Sequence, residues 1–218
     1  MRAHRPTALA SLVSALCAIA LWVQPARGGP RMVEIESLVS RQEVTSLLPL
    51  LKRGEISLVR SRRDGRLKQV TVVGLVQAPP AKVWAVITDY AHYTRFMPSV
   101  EECEVTRRER NDVVVSYELE VPGVNMEYRL RHRHTPQSRI DIWLEDDDGD
   151  IQTGGWRWEL WPHAGGSQTI LLYHLYTDVR ESSWILRQAL ETQPAMEHGL
   201  NVATGLVTVR AIKKQAEK

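Results

Sequence analysis

The feature that most constrains this chain is a succession of six extended segments, at residues 100–107, 113–121, 125–134, 139–145, 156–162 and 169–178. Between them lie Asn111-Asp112, Pro122-Gly123, Thr135-Pro136, Asp148-Gly149 and Gly165-Gly166, all good turn formers. Strands joined by turns this short pair antiparallel. A further β-branched strand is predicted at 67–76. Pro79-Pro80 then opens a helix, where the missing N–H costs nothing, with Val83, Trp84 and Ile87 on one face. Asp89 is placed to cap a second short helix that carries Tyr90, Tyr93, Phe96 and Met97 and is stopped by Pro98. The last stretch, 182–214, reads as a long helix capped by Ser182 or Ser183, with a break at Pro194. Seven antiparallel strands cannot bury one face alone, and only that last helix is long enough to cover it. The expected architecture is therefore α+β. A seven-stranded curved antiparallel sheet surrounds a long C-terminal helix, with two short helices after the first strand.

Upstream, residues 32–53 have helical apolar spacing at Val33, Leu38, Val44, Leu47, Leu48 and Leu51, interrupted by Pro49 and ended by Gly54. Residues 56–59 read as extended, and Arg62-Arg63-Asp64-Gly65 as a hairpin turn. The first residues look like an export leader. Arg2 and Arg5 precede an uncharged run of about 16 residues from Ala8 to Val23, and Ala26-Arg27-Gly28 offers small residues for cleavage before Gly29. The run is short for a membrane span. The expected organisation is a signal peptide at 1–28, a helical and extended lead-in at 29–62, and the main domain at 63–214. A periplasmic or secreted location follows from the leader. Without Arg2, Arg5 and Arg27 the chain has 25 basic against 26 acidic residues, which gives no electrostatic reason to expect nucleic acid. Cys103 would be the one cysteine left, without a disulfide partner and placed as a small buried hydrophobe.

Three stretches carry a resemblance: the strand leading into Pro79-Pro80 and Lys82-Val83-Trp84, the run from Thr88 to Val100 with its Tyr90-x-x-Tyr93-x-x-Phe96-Met97-Pro98, and Trp156-Arg157-Trp158-Glu159-Leu160. Together these resemble the START-like helix-grip superfamily, in particular its polyketide cyclase/dehydrase and coenzyme Q-binding branch. The likeness covers about residues 67–213. It implies a deep apolar cavity between sheet and helix but does not name the occupant.

Strand alternation shows which side chains would line such a cavity. On 125–134 one face holds Met126, Tyr128, Leu130, His132 and His134, and the other Asn125, Glu127, Arg129, Arg131 and Arg133. The arginine stripe reads as a solvated outer face. On 113–121 the apolar face holds Tyr117 and Leu119, and on 156–162 Trp156, Trp158 and Leu160 share a face. Along the last helix, Ala195, Gly199, Val202 and Leu206 form a stripe with Met196 at its edge, and small residues there suggest space between helix and sheet. The candidate ligand-binding residues are Tyr117, Leu119, Tyr128, Leu130, His132, Trp156, Trp158, Met196 and Gly199. Apolar walls with a few polar tips suit a greasy ligand; a solid core is the alternative.

Other chemistry has thinner support. His132 and His134 have a spacing seen in metal sites, but a third ligand from His174 would need a matching strand order. Glu145-Asp146-Asp147-Asp148-Gly149-Asp150 misses the calcium-loop pattern and reads as a solvated turn. Nucleotide-binding, zinc-protease, esterase and dithiol motifs are absent from the sequence. No cofactor and no metal is expected. The reading that leads is an exported binding or carrier protein for a lipid, isoprenoid or polyketide-like molecule, with transient membrane contact as a further expectation. Against it stand a cyclase or dehydratase using His132 as acid/base with Tyr128 or Tyr117, and a protein-interaction module with a vestigial cavity.

Overall fold

The computed structural model describes residues 31–121, 124–146, 148–180 and 182–218. The leader, the Pro122-Gly123 turn and Asp147 lie outside them. Elements follow in the order β1 (Arg31–Met32), α1 (Arg41–Leu51), β2 (Ile56–Ser61), β3 (Leu67–Val76), α2 (Pro80–Ile87), a 3-10 helix (Tyr90–Arg95), β4 (Val100–Glu109), β5 (Asp112–Val121), β6 (Val124–Thr135), β7 (Arg139–Leu144), β8 (Thr153–His163), β9 (Gln168–Asp178), α3 (Trp184–Thr192) and α4 (Ala195–Ala216). The strands run β2-β3-β9-β8-β7-β6-β5-β4 across one curved sheet, every neighbour antiparallel, and β1 adds a two-residue parallel pairing to β8. This is the helix-grip arrangement: an open sheet folded around α4.

The sheet has one more antiparallel strand than the seven expected, because the Asp64-Gly65 hairpin brings β2 into register with β3, from Ile56 opposite Val73 onward. The helix expected over 32–53 is confined to Arg41–Leu51. Ser40 starts it with a capping box, accepting from the Glu43 N–H while the Glu43 carboxylate accepts from the Ser40 N–H. Pro49 sits inside that helix near its end. Asp89 does not cap the 3-10 helix; its carboxylate instead takes the Nδ1 of His92 at 2.7 Å. Pro194 does divide the C-terminal helix, and Ser183 caps α3.

The two faces of the sheet are covered differently. On the convex side α1 lays Val44 and Leu51 over Val73, Leu75, Trp161, Ile170 and Leu172. Strands β3 and β9 are therefore buried on both faces, which is why they read as nearly unbroken apolar runs rather than alternating ones. Farther along, the convex face of β4–β8 carries cross-strand ion pairs: Arg131 with Glu145 at 2.6 Å, Arg129 with Asp146 at 2.7 Å, Arg133 with Asp112 at 3.0 Å and Arg157 with Asp141 at 2.6 Å. The arginine stripe is thus an outer face, but a paired one. The acidic turn is tied down as well. Asp150 accepts from the Glu127 N–H, and a Cβ on Gly149 would sit 2.7 Å from the Glu127 carbonyl oxygen. Among the described residues no helix is long and apolar enough to cross a membrane.

Candidate functional site

On the concave side, strands β5–β9, the segment after the 3-10 helix, α3 and α4 enclose a cavity of about 330 Å³. Period-two alternation delivers its wall. Tyr117 lies opposite Tyr128 and Leu119 opposite Met126 in the β5–β6 register, and Trp158 lies opposite Tyr173 in the β8–β9 register. Each of these six side chains faces the cavity, as do Leu130, His132, Ile142 and Trp156. The aromatic rings hold one another in place. Trp158 stacks on Tyr173 with centroids 4.1 Å apart, and Tyr117 on Tyr128 at 5.6 Å.

Seven of the nine residues expected to line the site do so: Tyr117, Leu119, Tyr128, Leu130, His132, Trp156 and Trp158. Met196 and Gly199 do not. Both lie on the outer side of α4, Met196 beside α3 and Gly199 with nothing within 4 Å of where its Cβ would be. The buried stripe of α4 is instead Glu197, Asn201, Gly205, Val209, Ile212 and Ala216. Two polar anchors set this phase. Glu197 accepts from the Tyr176 hydroxyl at 3.0 Å and from Arg180 at 2.8 Å, and Asn201 bridges both backbone groups of Thr177 at the end of β9. An apolar-stripe argument misreads a helix whose buried face begins with a paired carboxylate and an amide. The lining it overlooks on α4 is Leu200, Asn201, Thr204, Val207 and Thr208. Tyr93, Met97 and Pro98 were legible in the 88–100 run as fold markers, and they also wall the cavity.

The polar tips have definite partners. The Tyr117 hydroxyl lies 3.2 Å from His132 Nε2, Tyr93 donates to the Ile87 carbonyl, and Trp156 Nε1 donates to Thr177 Oγ1 at 3.1 Å. Burial drives the His132 pKa down to about 3, with the neighbouring His134 adding to the shift, so the imidazole is neutral at ordinary pH. Burial raises the Tyr117 phenol well above its usual range. His134 does not join His132 in a metal site. Its Nε2 is 2.9 Å from the Tyr90 hydroxyl and its ring meets Trp84 edge-on. His174 cannot supply a third ligand, because β7 and β8 separate its strand from β6 and it is bonded to Thr71 on β3 at 2.8 Å. Among the described residues no three His, Cys, Asp or Glu side chains converge as metal ligands. Cys103 borders the core, and burial pushes its thiol up to about 12, far from a reactive thiolate.

The model of the family described as polyketide cyclase/dehydrase and lipid transport matches residues 76–198. The chain belongs to this family. Its sheet and C-terminal helix have the family's START-like, hydrophobic-ligand-binding fold. Among solved structures, a protein of Thermus thermophilus is 17% identical with a TM-score of 0.56 over 68% of this chain and 96% of its own. A STAR-related lipid transfer protein of Xanthomonas axonopodis is 16% identical with a TM-score of 0.55 over 76% and 94%. The Zhui aromatase/cyclase of a Streptomyces species is 18% identical with a TM-score of 0.51 over 68% and 93%. These likenesses establish the fold. No curated protein matches the chain.

Proposed function

We propose that this family member is an exported binding or carrier protein that holds a lipid, isoprenoid or polyketide-like molecule in the cavity between sheet and α4. The observation that carries the reading is the cavity itself: about 330 Å³, walled by aromatic and aliphatic side chains, with a few polar tips. A space of that size also argues against a vestigial cavity in a pure protein-interaction module. Export rests on the leader, cleaved near Gly28, and leaves a chain that meets its ligand outside the cytoplasm. N-terminal sequencing of the protein from whole cells should begin near Gly29; a cytoplasmic chain starting at Met1 overturns that part. Exposed Trp184 and Ile185 on α3, beside the cavity-lining Leu186, support transient contact with a membrane surface during loading.

A second reading, ring closure or dehydration, draws on the His132–Tyr117 pair inside the cavity and on the aromatase/cyclase among the fold's relatives. The electrostatics oppose it. Proton-transfer groups work best with pKa values near the operating pH. Here burial makes the histidine a weaker base and the tyrosine a weaker acid. Native mass spectrometry of the purified mature protein should show a co-purified apolar molecule. An apolar fluorescent probe should then be displaced stoichiometrically by lipid extract, with the extract unchanged. Chemical conversion of the extract that His132→Ala abolishes would establish the enzyme instead.

A further inference from the structure

Besides the indoles of Trp156 and Trp158, the hydroxyl, amide and imidazole side chains on the cavity wall fall into three sets. Tyr93, Tyr117, His132, Thr177 and Asn201 are bonded to protein. Ser99 and Thr204 are exposed and Thr208 is half-buried, so solvent can reach them. Two hydroxyls remain, those of Tyr128 on β6 and Tyr173 on β9. Tyr173 is 8% exposed, and neither phenol has a hydrogen-bond partner among the described residues. They are not sealed orphans. Among the described residues the buried unpaired side-chain atoms are Ser57 Oγ, His174 Nε2 and His198 Nδ1, so neither phenol is sealed, and both side chains line the cavity. The two rings are fixed by their stacking partners, Tyr117 and Trp158.

The rest of the wall bears on the same question. Among the described lining residues there is no Asp, Glu, Lys or Arg. A carboxylate or phosphate brought there loses its hydration with no cation to answer it. A carbonyl loses only its hydrogen bonds to water, which a phenol donor on the wall can replace. We infer that the Tyr128 and Tyr173 hydroxyls are free donors for uncharged acceptor oxygen on the occupant, which is an apolar molecule bearing a ketone or ester carbonyl rather than an ionised head group. This rests on the apolar-cavity reading above and narrows its ligand class.

Three naphthalenes of similar shape test it by fluorescence titration at pH 8: 2-acetylnaphthalene, 2-isopropylnaphthalene and 2-naphthoate. The wild-type protein should bind the ketone about tenfold tighter than the hydrocarbon, and the carboxylate about tenfold or more weaker than the ketone. Tyr128→Phe and Tyr173→Phe should each cut the ketone's advantage, and the double variant should abolish it while leaving hydrocarbon affinity within about twofold. Melting temperatures should stay at the wild-type value, since the deleted hydroxyls bond no protein group, and Tyr90→Phe, outside the cavity wall, should leave the ketone advantage intact. A ketone advantage that survives the double variant overturns the donor role of both hydroxyls. So does 2-naphthoate binding as tightly as the ketone. Failure of the wild-type protein to bind even the hydrocarbon would instead bring down the cavity reading, and this inference with it.

Discussion

Helix α4 meets one half of the sheet and stands clear of the other. Over β3 and β9 the two layers touch: a Cβ on Gly205 would sit 2.7 Å from Val72 Cγ2 and 2.9 Å from Leu175 Cδ2, and one on Gly74 3.1 Å from Val209 Cγ1. Over β5–β8 the same helix faces tall aromatic residues ringed around empty space. Glycine here marks contact, and the void belongs to the large side chains. A glycine lets backbone approach backbone. Stacked rings on a curved sheet cannot collapse inward when one is left without a partner, so they hold a space open. The sequence expectation had the relation reversed, placing cavity at a glycine.

The largest effect should come from crowding the contact side. Gly205→Leu forces a side chain into Val72 and Leu175 and should cost about 3 kcal/mol, or roughly 6–12 °C in melting temperature for a chain of this size. Probe affinity per folded molecule should be unchanged. A well-tolerated leucine there would mean that helix and sheet are not in contact and would erase the distinction between the two halves.

The cavity side should announce itself next through pH. Above about 6.5 His132 is neutral both folded and unfolded. Below that value the unfolded chain takes up a proton that the folded chain refuses until about 3, so stability falls with pH across that window. The loss attributable to His132 should reach about 2 kcal/mol between pH 7 and pH 5. Unfolding free energies from denaturant titration should show wild type losing about 2 kcal/mol more than His132→Gln as pH drops. Parallel curves would show that His132 is hydrated and the wall open to water.

Filling the void should cost affinity rather than stability. Ile142 is 6% exposed and faces the cavity from β7. Ile142→Phe adds volume where no protein atom waits. It should weaken apolar-probe binding about tenfold while changing stability by less than about 1 kcal/mol. The opposite pattern, lost stability with affinity kept, would mean the space is packed.

The strands and their inward residues were legible because alternation is a local property: once residues 125–134 are a strand, Tyr128, Leu130 and His132 must share a face. The strand at 67–76 was placed to the residue by its β-branched, apolar run instead. What escaped is set by tertiary contacts. Nothing local tells that Glu197 will meet Arg180 and Tyr176, which turns the first half of α4 by enough to put Gly199 outside and Asn201 inside. Nor does local pattern reveal that α1 covers the convex face of β3 and β9, although their unbroken apolar runs are its trace. The free hydroxyls of Tyr128 and Tyr173 are likewise a matter of what does not come near them.

The smallest effect sharpens the comparison most, because it uses one substitution at two points of one helix. Glycine inside a helix is less favourable than alanine by roughly 0.5–1 kcal/mol, mainly through the freedom it loses on folding. At Gly199 a methyl group meets nothing within 4 Å, so Gly199→Ala should realise that gain and raise the melting temperature by about 1–4 °C. At Gly205 the same methyl sits under 3 Å from two side chains. Leu175 Cδ2 is the end of a flexible chain and can turn aside, but Val72 Cγ2 has one torsion on a buried strand and little room to yield. The steric cost should therefore exceed the propensity gain, and Gly205→Ala should lower the melting temperature. Probe affinity should stay constant in both, since neither glycine borders the cavity. Opposite signs from two glycines six residues apart would fix which face of α4 grips the sheet. A gain at both would place Gly205 in open space, and the helix would then have to be rotated relative to β3 and β9.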